Sequence, residues 1–460
     1  MAKLSAYLGQ GVHFRYFRTN PHFNGIGEIF LVEEQLDKNL LARAVDDVVR
    51  RHDSLRARFF MHDGGYFQDV EPEPSKDVFE FMEIERVDDL TELLPRKAEE
   101  LLNGFDLFTN RILKVVLVRL NVPGQDRLIV LGNHFVCDGY SFHVLWRDIC
   151  LQYRALEAGR RSAFERPAMK LAEFVSWLEG RRFRPAFDDC LDRWARMNVP
   201  GTIWIPRIAS CVDVHANSQA IVCRIDKLGT ERLKARIQNG YQSWLHHGVL
   251  AAFLSVFRAR YGRGVLPLAI WTNGHLLYAL EDAVPDLIGS CAFPAYVSLQ
   301  LLTEDFGTLL DLVDSTIAAI TDDGAEFGLA MFHEGRPEAW LASVRGIVQP
   351  QISFNYFSGL ELDRYPIRTG SAPERIARVK YPGNSRFREI SIDCNISDGA
   401  LCIQVEFSRV LHSAEEIRSI LDAVENLLKL VANRNIEAVQ PHQPDKMQGD
   451  QNLADAQDTR

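Results

Sequence analysis

Short runs of apolar residues alternate with helical patterns along this chain, which predicts a fold built from both strands and helices. Residues 128–131 are all apolar and predict a buried strand. Beyond Gly139, apolar residues recur at helical spacing until Gly159, which supplies a stop signal. His134 and Asp138 lie between these two elements, where a polar side chain can be directed into a cleft instead of the core.

The same patterns predict further elements in both halves of the chain. A strand at 112–118 and the turn-rich stretch 121–126 predict an antiparallel hairpin whose second arm leads to His134. The other expected elements are strands at 27–32, 220–225, 266–272, 296–299 and 351–357, helices starting at Leu40 and covering 227–239, 243–261 and 414–432, and a hairpin over 388–407 that turns at Asp398-Gly399. The arginine-rich end of the first helix, 50–58, is interpreted mainly as a solvated C-terminal cap.

A change in composition divides the chain into two lobes. Between about residues 156 and 206 the sequence becomes charged and aromatic, which favours helices that join two lobes. We therefore expect an N-terminal lobe at 1–175, a helical linker at 176–217, a C-terminal lobe at 218–438 and a disordered polar tail at 439–460. Basic residues near the linker are interpreted either as a solvated face or as a landing site for an acidic partner.

Composition narrows the classes of function. The chain has 460 residues and is 47% hydrophobic, which is enough for two or three cores. A formal charge of −10 argues against a nucleic-acid partner. No N-terminal apolar run and no stretch long enough to span a bilayer are present, so we expect a cytoplasmic protein without membrane contact. The eight cysteines never occur as C-x-x-C, and no glycine-rich phosphate loop is found, so neither a metal nor a bound cofactor is expected.

The string His-x-x-x-Asp-Gly at 134–139 resembles the signature of the chloramphenicol-acetyltransferase-like superfamily, which includes the condensation domains of nonribosomal peptide synthesis. The string alone also suits a core histidine beside a turn. Further segments resemble the family in the same order: Leu-Ser…Gln at 4–10, Pro-x-x-Asn at 21–24, Arg-His-x-x-Leu-Arg at 51–56, Phe-Asp-Leu at 105–107 and Phe-Asn-Tyr at 354–356. The resemblance covers about residues 4–432. It implies an α/β fold of two acetyltransferase-like lobes in a V-shaped pseudo-dimer, each a mixed sheet flanked by helices, with the active site between them.

The resemblance also implies roles for the residues of the motif. His134 would be the catalytic residue, acting as a general base or positioning the nucleophile, since an imidazole with a pKa of about 6.5 can accept a proton at neutral pH. Asp138 would give structural support through a salt bridge, but the arginine expected as its partner is replaced here by His275. Gly139 would allow close substrate approach or the turn into the helix. Asn133 replaces the first histidine of the His-His pair that is usual in condensation domains.

Three further residues are candidates for substrate binding beside Asn133. Ser141 is interpreted as a helix cap or as a substrate contact. Asn355 would line the acceptor side, help to hold an oxyanion or make an inter-strand hydrogen bond. Either His275 or a distant arginine would substitute for the missing arginine. The string at 333–338 is similar to an epimerisation-domain motif but scrambled, and is interpreted as a loop.

The function implied is that of a free-standing condensation enzyme, monomeric and without a bound cofactor. It would transfer an acyl group from the phosphopantetheine thioester of an acyl or peptidyl carrier protein to an amine or alcohol, on a small-molecule or carrier-bound acceptor. Two alternatives stay open at this point. One is an acyltransferase that takes its acyl group from coenzyme A, and the other is a catalytically silent module that recruits another enzyme.

Overall fold

A computed structural model describes residues 4–5, 7–62, 65–85, 90–181, 201–275, 286–332, 350–357, 365–376 and 378–433. The predicted tail at 439–460, the string at 333–338 and much of the predicted linker lie outside these residues, so the proposed domain boundaries stay predictions. Within the described part of the chain, no helix is long and apolar enough to cross a membrane.

The first lobe is a five-stranded mixed sheet with helices on both faces and a small three-stranded sheet beside it. Its elements in chain order are β1 (Leu4–Ser5), α1 (Leu8–Tyr16), β2 (Gly25–Val32), α2 (Lys38–Arg51), β3 (Ala57–His62), β4 (Gly65–Val70), β5 (Phe79–Ile84), α3 (Leu90–Asn103), β6 (Leu113–Leu120), β7 (Asp126–Asn133), α4 (Gly139–Glu157) and α5 (Leu171–Arg181). The large sheet has the order β12-β2-β7-β6-β5, in which β12 comes from the second half of the chain.

Strands β6 and β7 form the predicted hairpin, and both of their faces are buried. Val115 and Val130 pack into the core under helices α2 and α4. Val116 and Ile129, their neighbours along the strands, point to the opposite face and pack against helix α3. A strand that is buried on both faces needs apolar side chains at every position. Its sequence is therefore a continuous apolar run and does not alternate between apolar and polar residues. This explains the uniform pattern that precedes His134.

The second lobe is a six-stranded mixed sheet of order β10-β9-β11-β13-β14-β8. Its elements are β8 (Ser218–Ile225), α6 (Lys227–Ala235), α7 (Leu245–Tyr261), β9 (Gly264–Thr272), β10 (Phe293–Leu301), α8 (Phe306–Phe332), β11 (Ile352–Phe357), β12 (Thr369–Ser371), β13 (Ile390–Ser397), β14 (Ala400–Ser408) and α9 (Ala414–Asn433). The predicted strands and helices of this half are confirmed, although a short π-helix at Arg236–Gly240 ends the first of them. The predicted turn at Asp398-Gly399 is also confirmed, since both residues have positive φ, 52° and 76°.

Strand β13 of the second sheet has one apolar face and one polar face. On β13, Ile390, Ile392 and Cys394 point into the core that the helices cover. The alternate residues Ser391 and Asp393 point to the opposite face and are only partly buried. Strand β13 therefore shows the period of two that a half-buried strand requires.

The chain crosses from the second lobe back to the first and ties the two together. Strand β12 pairs antiparallel with β2 and so extends the sheet of the first lobe. A few residues later the main chain pairs again, because Gly25 N–H donates to the carbonyl of Val379 at 2.6 Å and Tyr381 N–H donates to that of Phe23 at 3.1 Å. In the other direction, Val12 of helix α1 packs into the core of the second lobe.

A buried ion pair fastens this crossover. Arg127 at the start of β7 and Glu374 beyond β12 are 3% and 4% exposed. The guanidinium donates from Nε to Oε2 at 2.8 Å and from Nη2 to Oε1 at 3.2 Å. Two parallel hydrogen bonds of this kind fix both partners in one geometry.

Replacing Arg127 by Met should destabilise the fold by about 3–5 kcal/mol, because Glu374 is then left charged and buried without a partner. The double variant Arg127→Met with Glu374→Leu should recover most of that loss. Chemical unfolding measures both. Arg50→Met, which breaks an exposed pair with Asp46, is the control and should cost less than about 1 kcal/mol. A loss at Arg127 no larger than that of the control would contradict the assignment.

Candidate active site

His134 lies directly after the end of β7, in a turn held by hydrogen bonds. Its main-chain N–H donates to the carbonyl oxygen of Asn24 at 2.7 Å, which continues the ladder between β2 and β7. The side chain of Asn133 fixes the turn, since Oδ1 accepts from the N–H of Phe135 at 3.0 Å and Nδ2 donates to the carbonyl of His22 at 2.8 Å. Asn133 is 0% exposed. Its geometry is that of a turn-fixing residue, and a substrate contact for it stays a prediction.

His134 is a partly exposed residue, and its ring lies against the ring of His13, with 4.7 Å between the ring centroids. Its Nδ1 is buried and has no hydrogen-bond partner among the described residues. Burial lowers the pKa of His134 below its ordinary value and the charge of Lys380 adds to the effect, while the residue's own main chain and the charge of Asp138 oppose it. The imidazole is therefore neutral at pH 7.

Three neighbours of His134 were not found from the sequence. Asn24 donates from Nδ2 to Nδ1 of His13 at 3.2 Å, and it forms an isolated β-bridge with Lys380. Burial lowers the pKa of His13 far below its ordinary value. Asn24 belongs to the Pro-x-x-Asn string, so the sequence did contain a pattern that includes this residue. His13 and Lys380 carried none, because the first lies on a helix and the second follows the crossover from the other lobe.

Asp138 points away from His134 and joins the two lobes. Its side chain caps helix α4 by accepting from the N–H of Ser141 at 2.9 Å, and its Oδ2 accepts from the N–H groups of Cys291 and Ala292 at 2.9 Å each. Nε2 of His275 lies 3.3 Å from the carboxylate. Burial alone would raise the pKa of Asp138, but the charge and hydrogen bond of His275 and the bonds from Ser141 hold it well below its ordinary range. The contacts agree with the structural support expected of this residue.

The structure brings Ser141 and His275 together at the same junction. The Ser141 hydroxyl donates to the carbonyl of Gly289 at 2.7 Å, accepts from its N–H at 2.9 Å and lies 3.3 Å from Nε2 of His275. Ser141 does not cap helix α4, since Asp138 occupies that position. Gly139 is the first residue of the helix and has no positive φ, so its position is that of the helix-entry turn. A substrate contact for Ser141 or His275 stays a prediction.

Asp138, His275 and Cys291 bring three possible metal ligands within 4.8 Å of one another. The carboxylate already accepts from main-chain N–H groups on both of its oxygens. Burial raises the pKa of the Cys291 thiol far above its ordinary value, which disfavours the thiolate that a metal requires. These contacts fit a hydrogen-bonded junction better than a metal centre.

A second junction uses the arginine-rich end of helix α2. Arg51 is not solvated there, because its side chain is 9% exposed and bonds from Nε to Asp148 and from Nη2 to Asp286, both at 3.1 Å. Asp286 belongs to the segment that supplies Cys291. His52 also reaches Asp148, at 2.8 Å. The interpretation of this end as a solvated cap is thus wrong for Arg51, although it holds for Arg50, which is half exposed.

Asn355 lies on β11, opposite Asp393 of β13. Its side chain hydrogen-bonds the Asp393 carboxyl, and burial raises the pKa of that carboxyl to about 6. The charge of Lys380 acts on both Asp393 and His134. Asn355 thus makes the inter-strand bond that was one of its predicted roles, and it lies on the same face of the sheet as Asp393.

Comparison with known proteins agrees with this architecture. Residues 14–198 match the profile of the family described as "Condensation domain". Bacitracin synthase 3 of Bacillus licheniformis is 20% identical over 459 residues, which cover 95% of this chain but 7% of that protein. The chain thus spans less than a tenth of the length of this relative.

Solved structures share the fold over nearly the whole chain. The epimerization domain from the third module of tyrocidine synthetase B superimposes with a TM-score of 0.82, at 17% identity, over 94% of this chain and 98% of that one. The condensation domain of the Monacolin K polyketide synthase gives a TM-score of 0.73 at 15% identity, with the same coverage of each chain. The resemblance inferred from the sequence is therefore confirmed: the chain is condensation-like in its N-terminal sequence and in its fold.

Asp138→Asn should destabilise the protein by about 3 kcal/mol at pH 7, because it removes a buried charge that His275 and three N–H groups stabilise. Since the folded-state pKa is depressed, this contribution is fully present above the unfolded pKa of about 4 and disappears as the pH falls further. Unfolding at pH 7, 5 and 3.5 should therefore show a constant difference and then a smaller one. Asp398→Asn, at an exposed turn, is the control. A pH-independent difference at Asp138 would contradict the argument.

Proposed function

We propose that this condensation-type chain transfers an acyl group from a carrier-protein phosphopantetheine thioester to an amine or alcohol, with His134 as the general base. The observation that carries the proposal is the position of His134, a partly exposed residue directly after β7, where burial lowers the pKa of the imidazole so that it can accept a proton at pH 7. The family match and the synthases among its relatives support a thioester donor.

The reaction requires one proton transfer and no covalent enzyme intermediate. The acceptor nitrogen or oxygen attacks the thioester carbonyl carbon, and Nε2 of His134 takes its proton as the new bond forms. The carbon–sulfur bond then breaks, and the proton is returned to the leaving thiolate. General-base assistance of this kind contributes about 10²–10⁴-fold, so correct orientation of the two reactants must supply much of the remaining rate.

The neighbours of His134 suit this role. A second imidazole, His13, packs against its ring and is kept neutral by burial, so the His13 ring adds no positive charge that would repel an incoming amine. The positive charge of Lys380 acts at the His134 ring, and we expect it to stabilise a tetrahedral oxyanion that forms beside that ring. Asp138 acts at a distance, by fixing the start of helix α4 against the second lobe.

The likeness to an epimerization domain favours one second candidate. In that reaction His134 would remove the Cα proton of a carrier-bound aminoacyl group, and a proton would return to the opposite face. Incubation of aminoacyl-carrier in D₂O without acceptor separates the two, because only epimerisation incorporates deuterium at Cα. The free-standing arrangement expected from the sequence stays a prediction.

His134→Ala should lower the rate of acyl transfer at least about 10²-fold without changing stability, since the general base is lost. Mass spectrometry of product formed from a loaded carrier measures the rate, and the same acyl group on coenzyme A tests the alternative donor. His62→Ala, at an exposed histidine, is the control. Full turnover by the His134 variant would remove His134 from the mechanism, and equal rates with both donors would favour the coenzyme-A alternative.

The pH dependence of kcat/KM should show one ascending limb with its midpoint below pH 6.5. The imidazole must be neutral to accept a proton, and burial lowers its pKa, so activity is lost only when the pH falls through that lowered value. Single-turnover rates between pH 5 and pH 8 measure the profile. A midpoint above pH 7 would show that another group governs the rate, or that the pKa of His134 is raised instead of lowered.

A further inference from the structure

His13 presents an N–H group beside the candidate base. The residue is 6% exposed, and its ring packs against that of His134 with 4.7 Å between the centroids. Asn24 donates from Nδ2 to Nδ1 of His13 at 3.2 Å. Burial lowers the pKa of His13 far below its ordinary value, so the ring is neutral. A neutral imidazole that accepts at Nδ1 carries its one proton on Nε2. The Nε2 atom of His13 is therefore a hydrogen-bond donor.

The orientation of the Asn24 amide fixes this tautomer. Asn24 is 1% exposed, and its Oδ1 is buried without a hydrogen-bond partner. The opposite orientation of the amide would place its two N–H groups at that enclosed position, where both would be unpaired. An unpaired buried oxygen acceptor is better tolerated than an unpaired buried N–H group. The amide of Asn24 therefore donates to His13, and His13 keeps its proton on Nε2.

The Nε2 atoms of His13 and His134 are both open to solvent. Neither has a hydrogen-bond partner among the described residues, and neither is one of the enclosed polar atoms that lack a partner, unlike Nδ1 of His134. The surface that remains accessible on each side chain therefore includes its Nε2. Because the two rings are in contact, a reactant that binds at Nε2 of His134 lies beside the ring of His13.

The proposed reaction needs two such groups close together. Attack on a thioester gives a tetrahedral carbon that bears both the attacking atom and the oxyanion. A base that takes the proton of the attacking atom and a donor that binds the oxyanion therefore act on atoms bonded to the same carbon. A neutral imidazole can be that donor. Removal of one oxyanion donor lowers kcat by about 10²–10³-fold.

We propose that His13 is a second catalytic residue, whose Nε2–H group donates a hydrogen bond to the thioester carbonyl oxygen as that oxygen becomes negatively charged. This inference rests on the proposed function, because it assigns the donor to that reaction. No proton leaves His13. The hydrogen bond strengthens as the carbonyl π electrons move to oxygen, and it weakens again when the carbon–sulfur bond breaks. Asn24 is a positioning residue, since its amide selects the tautomer of His13 and its carbonyl oxygen accepts from the N–H of His134.

Nitrogen NMR of the unaltered chain, labelled with ¹⁵N-histidine, tests the tautomer without any turnover. The His13 signals are assigned by their loss in His13→Phe. The ring should be neutral at pH 7 and should carry its proton on Nε2. A proton on Nδ1, or a charged ring at pH 7, would overturn the proposal, and this result does not depend on whether the His13 variants fold.

A carrier-bound thioester and its dithioester, in which sulfur replaces the carbonyl oxygen, test whether His13 contacts that atom. Sulfur is the weaker hydrogen-bond acceptor. His13→Phe keeps a ring against His134 but removes the donor, so kcat with the oxygen substrate should fall about 10²–10³-fold with little change in KM. The ratio of the oxygen rate to the sulfur rate should fall at least about tenfold, as expected for two groups in contact. His13→Gln, whose amide can accept from Asn24 and also donate, should recover part of both losses.

His215→Phe is the matched control. Its ring stacks on Phe17, which in turn stacks on His13, but its Nε2 is buried and offers no donor to a reactant. Both rates and their ratio should be unchanged. Equal losses with the two substrates in His13→Phe would assign His13 a structural role and overturn the proposal. Transfer that requires His134 but not His13 would overturn this inference alone, whereas absence of transfer in the unaltered chain would overturn the proposed function together with it.

Discussion

The arrangement of this molecule depends on one buried carboxylate. Asp138 starts helix α4 of the first lobe and simultaneously accepts hydrogen bonds from Cys291 and Ala292 of the second. A helix N-terminus already carries positive potential, so a carboxylate placed there is stabilised before His275 adds its contribution. One carboxylate thus accepts hydrogen bonds from both lobes. Neither lobe can move relative to the other at this point without leaving the Asp138 charge buried and unpaired.

The same constraint fixes the position of His134, although Asp138 points away from it. The imidazole follows a strand whose faces are both buried, and the helix after it is anchored four residues later by Asp138. The turn between these two fixed points therefore has little freedom, and Asn133 removes most of what remains. For a general base that acts on bound reactants, a fixed position contributes more to the rate than a strong driving force for proton transfer does. Its lowered pKa has the same origin, since burial favours the neutral ring.

The sequence predicted elements whose signal is local and missed contacts that form between lobes. The apolar runs before His134, the helix after Gly139 and the Asp398-Gly399 turn depend on near neighbours, and all were predicted correctly. Strand β12 has three residues and exists only because β2 offers an unpaired edge. The sequence of Thr369–Ser371 contains no pattern that predicts such pairing. Lys380 and His13 were missed for the same reason, because their proximity to His134 follows from the crossover and from helix α1.

The replacement of the expected arginine by His275 follows from what surrounds Asp138. An arginine would offer two parallel donors to the carboxylate. Here the adjacent N–H groups of Cys291 and Ala292 already provide that pair, both at 2.9 Å. One further donor completes the shell, and a histidine supplies one from Nε2 while its ring packs against Tyr140 and Phe174. The two main-chain N–H groups and His275 thus bind the Asp138 carboxylate between the lobes without an arginine.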